Sequence, residues 1–366
     1  MRRSSTNRLE RELDEILART EPLWQELRGQ RLLITGATGF FGCWLLESFA
    51  WANRRLHLNA HAVGLSRHPG TLLQKAPHLA ADSAITLHAA NIRCDDFPDG
   101  RFSHIVHAAT DASAALNREN PSAMFDTIVT GTRRTLELAA TNPGCNFLFL
   151  SSGAIYGSQP SQATLLQESF AGGPDPLDPA NAYAEGKRAA ELMCAVAPSA
   201  TDIKIARCFA FVGPYMQLDA HFAIGNFISD RLQDSPIRVQ GDGSAVRSYL
   251  YASDLMVWLW TILFQGQRLR AYNVGSEEAL NIATLANEVN AALPPAAQVN
   301  IASAHQPGAP VHRYVPSTAR AREELGLIAA VPLREAIRRT YAWFSADTTS
   351  APQITGVQTS ARGTHA

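Results

Sequence analysis

Arg31-Leu-Leu-Ile-Thr-Gly36-Ala-Thr-Gly39-Phe-Phe-Gly42-Cys43 is the stretch on which the fold turns. A short apolar run reads as a buried strand, three glycines follow with GxxGxxG spacing, and an apolar helical pattern over Phe41–Ala52 begins at once. Glycines between a strand and a helix allow a tight turn and let the backbone approach a pyrophosphate, which then rests on the helix N-terminus. At the head of a strand–helix series this reads as dinucleotide binding rather than a plain turn. Gly36, Thr38, Gly39, Phe40, Phe41 and Gly42 are therefore candidate cofactor contacts.

Working outward, Ala60–Leu65, His104–Ala108, Asn146–Ser151 and Ile203–Arg207 also read as buried strands, with Ala123–Ala140 and Ala182–Ala197 as helices. That alternation predicts an α/β protein with a doubly wound parallel Rossmann sheet over residues 30–207, its ligands beyond the carboxyl ends of the strands. Past residue 207 the pattern turns irregular, with an isolated strand at Ile237–Gln240; residues 208–345 are expected to form a smaller, interleaved, mainly substrate-binding lobe. Residues 1–29 carry a helical apolar stripe (Leu9, Leu13, Ile16, Leu17, Trp24, Leu27) that Pro22 should break, and packing on the main body is its expected role. The polar, small-residue tail 346–366 is expected to be disordered.

The end of the second strand selects the cofactor. NAD enzymes place an acid there for the ribose 2′-hydroxyl. Here Val63-Gly-Leu-Ser66-Arg67-His68 has a hydroxyl and a guanidinium instead, suited to a 2′-phosphate in charge and in fork geometry. NADP is the preferred cofactor, with NAD as the alternative. Tyr183 and Lys187, at i and i+4, share one helix face, and an ammonium beside a phenol is expected to lower its pKa toward neutrality. Ser152 ends an intervening strand and could hold a substrate oxygen. Hydride transfer at a carbinol carbon needs such a proton-exchanging phenol.

With these residues in view, the chain from about 31 to 340 resembles the extended short-chain dehydrogenase/reductases, in the nucleotide-sugar epimerase, dehydratase and decarboxylase group. The resemblance rests on Gly36–Gly42, His107-Ala-Ala109, Ser151-Ser-Gly-Ala-Ile-Tyr-Gly157, Tyr183 with Lys187, Arg207 with Gly213-Pro214, and Arg247 with Tyr251-Ala-Ser-Asp254. Gly186–Cys194 looks most like UDP-glucuronate decarboxylases. It implies that Ser152 binds the sugar hydroxyl, Tyr183 is the acid/base and Lys187 holds the nicotinamide ribose. It further implies cofactor contacts from Asn91, Ile92, His107, Ala108 and Ala109, and substrate contacts from Thr110, Ser151, Gly153, Asn226 and Arg247. A homodimer through helices 123–140 and 182–197 follows by the same resemblance.

Departures narrow the reaction. Dehydratases of the group carry Asp-Glu, and decarboxylases a Glu, after the hydroxyl residue matched by Ser152; here Gly153-Ala154 cannot transfer a proton. Ala210 and Ile128 stand where the group has asparagines, so sugar specificity does not carry over. Reduction of a nucleotide-4-keto-6-deoxyhexose by NADPH is the expectation, 4-epimerisation on tightly held NAD the alternative, and a non-catalytic dinucleotide-binding regulator the reading outside enzymes.

Composition excludes other classes. The chain has 366 residues, 46% hydrophobic and 18% charged, with net charge −1, which gives no electrostatic support for nucleic-acid or membrane-surface binding. Five scattered cysteines without a CxxC pair, and histidines without an HExxH arrangement, predict reduced thiols and no metal site. Leu255–Phe264 is too short to span a bilayer, with Trp258 and Trp260 read as core, and no apolar run follows the basic Met1–Ser5. A cytoplasmic enzyme is expected.

Overall fold

The computed structural model describes residues 7–110, 114–198, 200–218, 222–306 and 308–348. Seven parallel strands form the central sheet: β1 (Arg31–Thr35), β2 (His61–Ser66), β3 (Ile85–Ala89), β4 (His104–His107), β5 (Asn146–Ser152), β6 (Asp202–Cys208) and β7 (Ala271–Val274). Their order is β7-β6-β5-β4-β1-β2-β3, so the direction of winding reverses between β1 and β4. In open sheets of this kind, ligands bind where the winding reverses, beyond the carboxyl ends of those two strands.

Both faces of the sheet are covered, which is why its strands read as continuous apolar runs. Leu32, Ile34, Val106, Leu148 and Leu150 pack toward helices α2 (Phe40–Arg55) and α6 (Ala252–Gln265). Leu33, Ile105, Phe147 and Phe149 point the other way, toward α3 (Pro121–Ala140) and α4 (Ala182–Val196). Two strands escape a reading by apolar runs. β3 lies at the sheet edge with one face exposed, so it carries polar residues. β7 contains Asn273, fully buried because its side chain takes Tyr156 OH at 2.7 Å and donates to the carbonyls of Leu166 and Ser317.

Residues beyond 207 thus return to the central sheet through α6 and β7. Trp258 and Trp260 are core residues of α6, 1% and 0% exposed. A separate apolar cluster joins α5 (Ala223–Leu232) to the helix Ile282–Ala292 and to α7 (Leu333–Thr348). The strand expected to be isolated, Ile237–Val239, pairs in parallel with Val299–Ile301.

The N-terminal segment packs on the body. Helix α1 (Glu10–Thr20) gives way at Pro22 to a 3-10 stretch, Glu21–Leu27, whose Trp24 meets Trp260 at 4.6 Å between ring centroids. Glu12 accepts from Tyr251 at 3.2 Å, Asp14 from Trp51 at 2.9 Å, and Glu15 from Arg339 of α7 at 2.8 Å. Arg19 pairs with the fully buried Asp254, which also accepts from the amides of Ala330 and Val331 at 2.9 Å. At the other end, α7 runs to Thr348, inside the tail expected to begin near 346; residues 349–366 lie outside the described residues. Among the described residues no helix is long and apolar enough to cross a membrane, and no three His, Cys, Asp or Glu cluster as metal ligands.

Candidate active site

The glycine loop lies at the point where the winding reverses. Gly36 has φ +73°, and a Cβ there would lie 2.8 Å from the carbonyl oxygen of Ala108, on the loop after β4. A Cβ at Gly42 would lie 2.3 Å from Gly36 O, so helix α2 starts hard against the loop. Gly39 is the N-cap residue of α2 and no side chain caps the helix. A first turn of amides with no capping side chain, beside a loop in which Gly36 and Gly39 carry no Cβ, fits a pyrophosphate.

At the end of β2, Ser66 Oγ lies 2.8 Å from Thr38 Oγ1 and accepts from His68 N at 3.2 Å. Arg67 follows, exposed. After β3, Asn91 closes a small loop: its N–H donates to Asp95 at 2.7 Å and its side-chain oxygen accepts from Arg93 N at 3.1 Å. Ile92 is buried and forms the surface on which Gly131 packs.

His107, expected beside the cofactor, is an internal residue. Thr35 Oγ1 accepts from the amides of Ala108 and Ala109 at 3.1 Å, so its one proton goes to His107 Nδ1 at 2.8 Å. That assigns the ring proton to Nε2, which donates to Thr132 Oγ1 at 3.1 Å. Burial, with the Lys187 ammonium second, pushes this imidazole down to about 3 and keeps it neutral. Its role is to join β1, β4 and α3 under the loop.

Ser151 and Ser152 are separated by strand alternation. Ser151 Oγ donates to Glu191 of α4 at 2.5 Å, and Arg207 holds the same carboxylate at 2.7 Å. Ser151 thus ties β5 to α4 and β6, on the opposite face of the strand from Ser152. Ser152 Oγ accepts from Ala154 N at 3.1 Å and lies beside two phenols, Tyr183 and Tyr314, where its hydroxyl favours their charged forms.

Lys187 is buried on α4, with Nζ donating to Leu150 O at 2.6 Å and to Thr110 Oγ1 at 2.9 Å, and lying 4.9 Å from the Phe149 ring centroid. Burial pushes this ammonium down to about 8. Burial also pushes the Tyr183 phenol up to about 12, against the opposing hydrogen bond with Ser152. The expected lowering of Tyr183 is therefore not a property of the protein alone. Leaving water penalises both charged forms, and the ammonium is directed at Thr110 and Leu150 O rather than at the phenol.

Tyr314 carries no sequence signal. It sits in the two-residue strand Arg313–Tyr314, in register with Arg247 of Val246–Arg247, and its ring packs on Phe209 at 4.6 Å. Arg247 itself donates to Val246 O at 2.8 Å and His312 O at 3.1 Å. Asn226 lies in the first turn of α5. Only the pairing of strands distant in sequence brings Tyr314 to Ser152. A Cβ at Gly153 would lie 2.7 Å from both the Tyr314 hydroxyl and the Phe209 ring, so residue 153 has no room for a side chain.

Comparison with known proteins bears on the family and on the fold. The model of the NAD dependent epimerase/dehydratase family matches residues 32–275. UDP-glucuronic acid decarboxylase 1 of Arabidopsis thaliana is 30% identical over 64% of this chain, a match that spans 53% of that relative's length. Among solved structures, UDP-glucose 4-epimerase of Thermotoga maritima superposes with a TM-score of 0.72 at 19% identity, covering 87% of this chain and 99% of that one. RMD from Pseudomonas aeruginosa, complexed with NADPH, superposes with a TM-score of 0.65 at 21% identity, covering 87% and 99%.

Proposed function

Because this chain belongs to the NAD dependent epimerase/dehydratase family, we propose that it is an NADPH-dependent reductase of a nucleotide-activated 4-keto-6-deoxyhexose. The observation that carries the reading is the closure of position 153. Its relatives include UDP-glucuronic acid decarboxylases, and removal of carbon dioxide or water from a sugar calls for acid/base groups beyond a single phenol. Here the place next to Ser152 is taken by the Tyr314 hydroxyl and the Phe209 ring, and Gly153 and Ala154 carry no titratable group. What the site offers is the phenols of Tyr183 and Tyr314, one ammonium and the Ser152 hydroxyl beside them, enough for reduction of a ketone.

Each residue then has a task. Gly36, Thr38, Gly39 and the first turn of α2 hold the pyrophosphate; Ser66 and Arg67 face the adenosine ribose; Lys187 and Thr110 offer a donor and a hydroxyl to the nicotinamide ribose. Bound NADPH supplies the hydride. Ser152 holds the substrate carbonyl oxygen, and Tyr183, beside it, gives the proton that completes the alcohol. Asn226 and Arg247 are assigned to the nucleotide diphosphate, and the face of α3 and α4 bearing Phe125, Leu192 and Val196 to a homodimer.

The test is to strip the protein of cofactor, titrate it with NADPH and NADH by nicotinamide fluorescence, and then supply nucleotide-4-keto-6-deoxyhexoses. Preferential NADPH binding with stoichiometric NADPH consumption is expected. NAD that cannot be stripped, with sugar epimers formed and no net oxidation, would replace reduction by epimerisation.

A further inference from the structure

We infer that Lys75 is the second cation, after Arg67, of a site for the 2′-phosphate on the cofactor's adenosine ribose. The inference rests on the NADPH reading above and adds a residue that no strand-end motif contains. Lys75 ends the short helix Gly70–Lys75 and is exposed, yet it is not directed outward: its Nζ donates to the main-chain oxygen of Thr38 at 3.1 Å, in the glycine loop. Thr38 Oγ1 is in turn 2.8 Å from Ser66 Oγ, the last residue of β2. The chain therefore leaves the strand end at Ser66, passes Arg67, and brings an ammonium back to the same spot at Lys75.

Two physical points favour an anion there. An ammonium has three donors, and the Thr38 carbonyl uses one, leaving the others for a ligand. Its charge also acts on Cys43, in the first turn of α2, so it stands beside the positive end of a helix. A cation at that end is unfavourable by itself and becomes favourable when an anion lies between the two. Nicotinamide dinucleotides offer two anions within reach of this loop, the pyrophosphate and the 2′-phosphate. Ser66, with Arg67 beside it, marks the ribose end of the loop, and Lys75 is tied to that end through Thr38.

Calorimetric titration of the full chain with NADPH, NADH and adenosine 2′,5′-bisphosphate decides between them, because it reads binding without turnover. Lys75→Met should weaken NADPH and the bisphosphate by about tenfold and leave NADH within about twofold, as expected for the loss of one charge-assisted hydrogen bond to phosphate. Lys75→Arg should restore most of the loss. Equal weakening of NADH and NADPH would assign Lys75 to the pyrophosphate and overturn the inference, and so would unchanged affinity for all three. Tight NADPH binding that neither substitution at 75 changes would sink Lys75 alone. A wild-type protein that prefers NADH and ignores the bisphosphate would sink the cofactor reading as well.

Discussion

The hydroxyl of Tyr314 stands 2.7 Å from the point where a Cβ on Gly153 would be, although the two residues are 161 positions apart in the chain. Side chain and missing side chain are therefore two halves of one arrangement beside Ser152. Gly153→Ala should force Tyr314 and Phe209 back, lowering both turnover and melting temperature. Trimming the phenol in Tyr314→Phe removes one of the two close contacts. A double-mutant cycle on melting temperature should then show coupling of about 1 kcal/mol or more between the two sites. Additive effects would mean that the pair does not share this space.

Tyr183→Phe keeps the ring that packs beside Phe149 and Lys187 and removes only the acidic proton. Turnover should fall by about 10²–10⁴-fold, the usual contribution of a positioned general acid, while NADPH affinity stays within about twofold. An unchanged rate measured under single turnover would remove Tyr183 from the chemistry.

Asp254 is fully buried, and it holds Arg19 of the N-terminal helix together with the amides of Ala330 and Val331. Asp254→Ala leaves two amides without an acceptor and the Arg19 guanidinium with only the Ile328 carbonyl, so unfolding free energy should drop by about 3–5 kcal/mol in urea titrations. Arg19→Ala strands the fully buried carboxylate without a counter-ion and should cost a comparable amount. Small losses in both would show that the N-terminal helix is not tied to the body through this carboxylate.

Acid should destabilise the fold through two buried histidines. His104 is pushed down to about 4, by burial first and then by Lys204, and His107 to about 3. In the unfolded chain each takes up a proton near pH 6.5, whereas in the fold neither does until well below that. The unfolded state thus binds more protons between about pH 6.5 and pH 4, and stability falls as pH falls through that window. By pH 5 the loss is of order 2 kcal/mol per histidine. Urea midpoints at pH 7, 6 and 5 should decline steadily, with a shallower slope in His104→Asn; a flat profile would contradict the burial of both rings in neutral form.

Local chemistry made much of this legible from residues alone. The glycine loop, the i and i+4 pair Tyr183 and Lys187, and the apolar runs of β1, β2, β4, β5 and β6 depend on neighbours in sequence. What stayed hidden depends on distant partners. β7 is masked by Asn273, which is buried only because Tyr156, Leu166 and Ser317 satisfy it. The partners of Ser151 and His107, namely Glu191, Thr35 and Thr132, likewise lie far away in sequence. Tyr314 and Lys75 have no motif, and reach the site only through strand pairing and the return of a short helix.

The most direct measurement is the transfer of deuterium from NADPH labelled at the reactive C4 position of the nicotinamide to a nucleotide-4-keto-6-deoxyhexose. The account predicts one deuterium at C4 of the product sugar, one NADP formed per turnover, and loss of both with Tyr183→Phe. Unlabelled product, epimers formed without net oxidation, or carbon dioxide released from a nucleotide-activated uronic acid would contradict it.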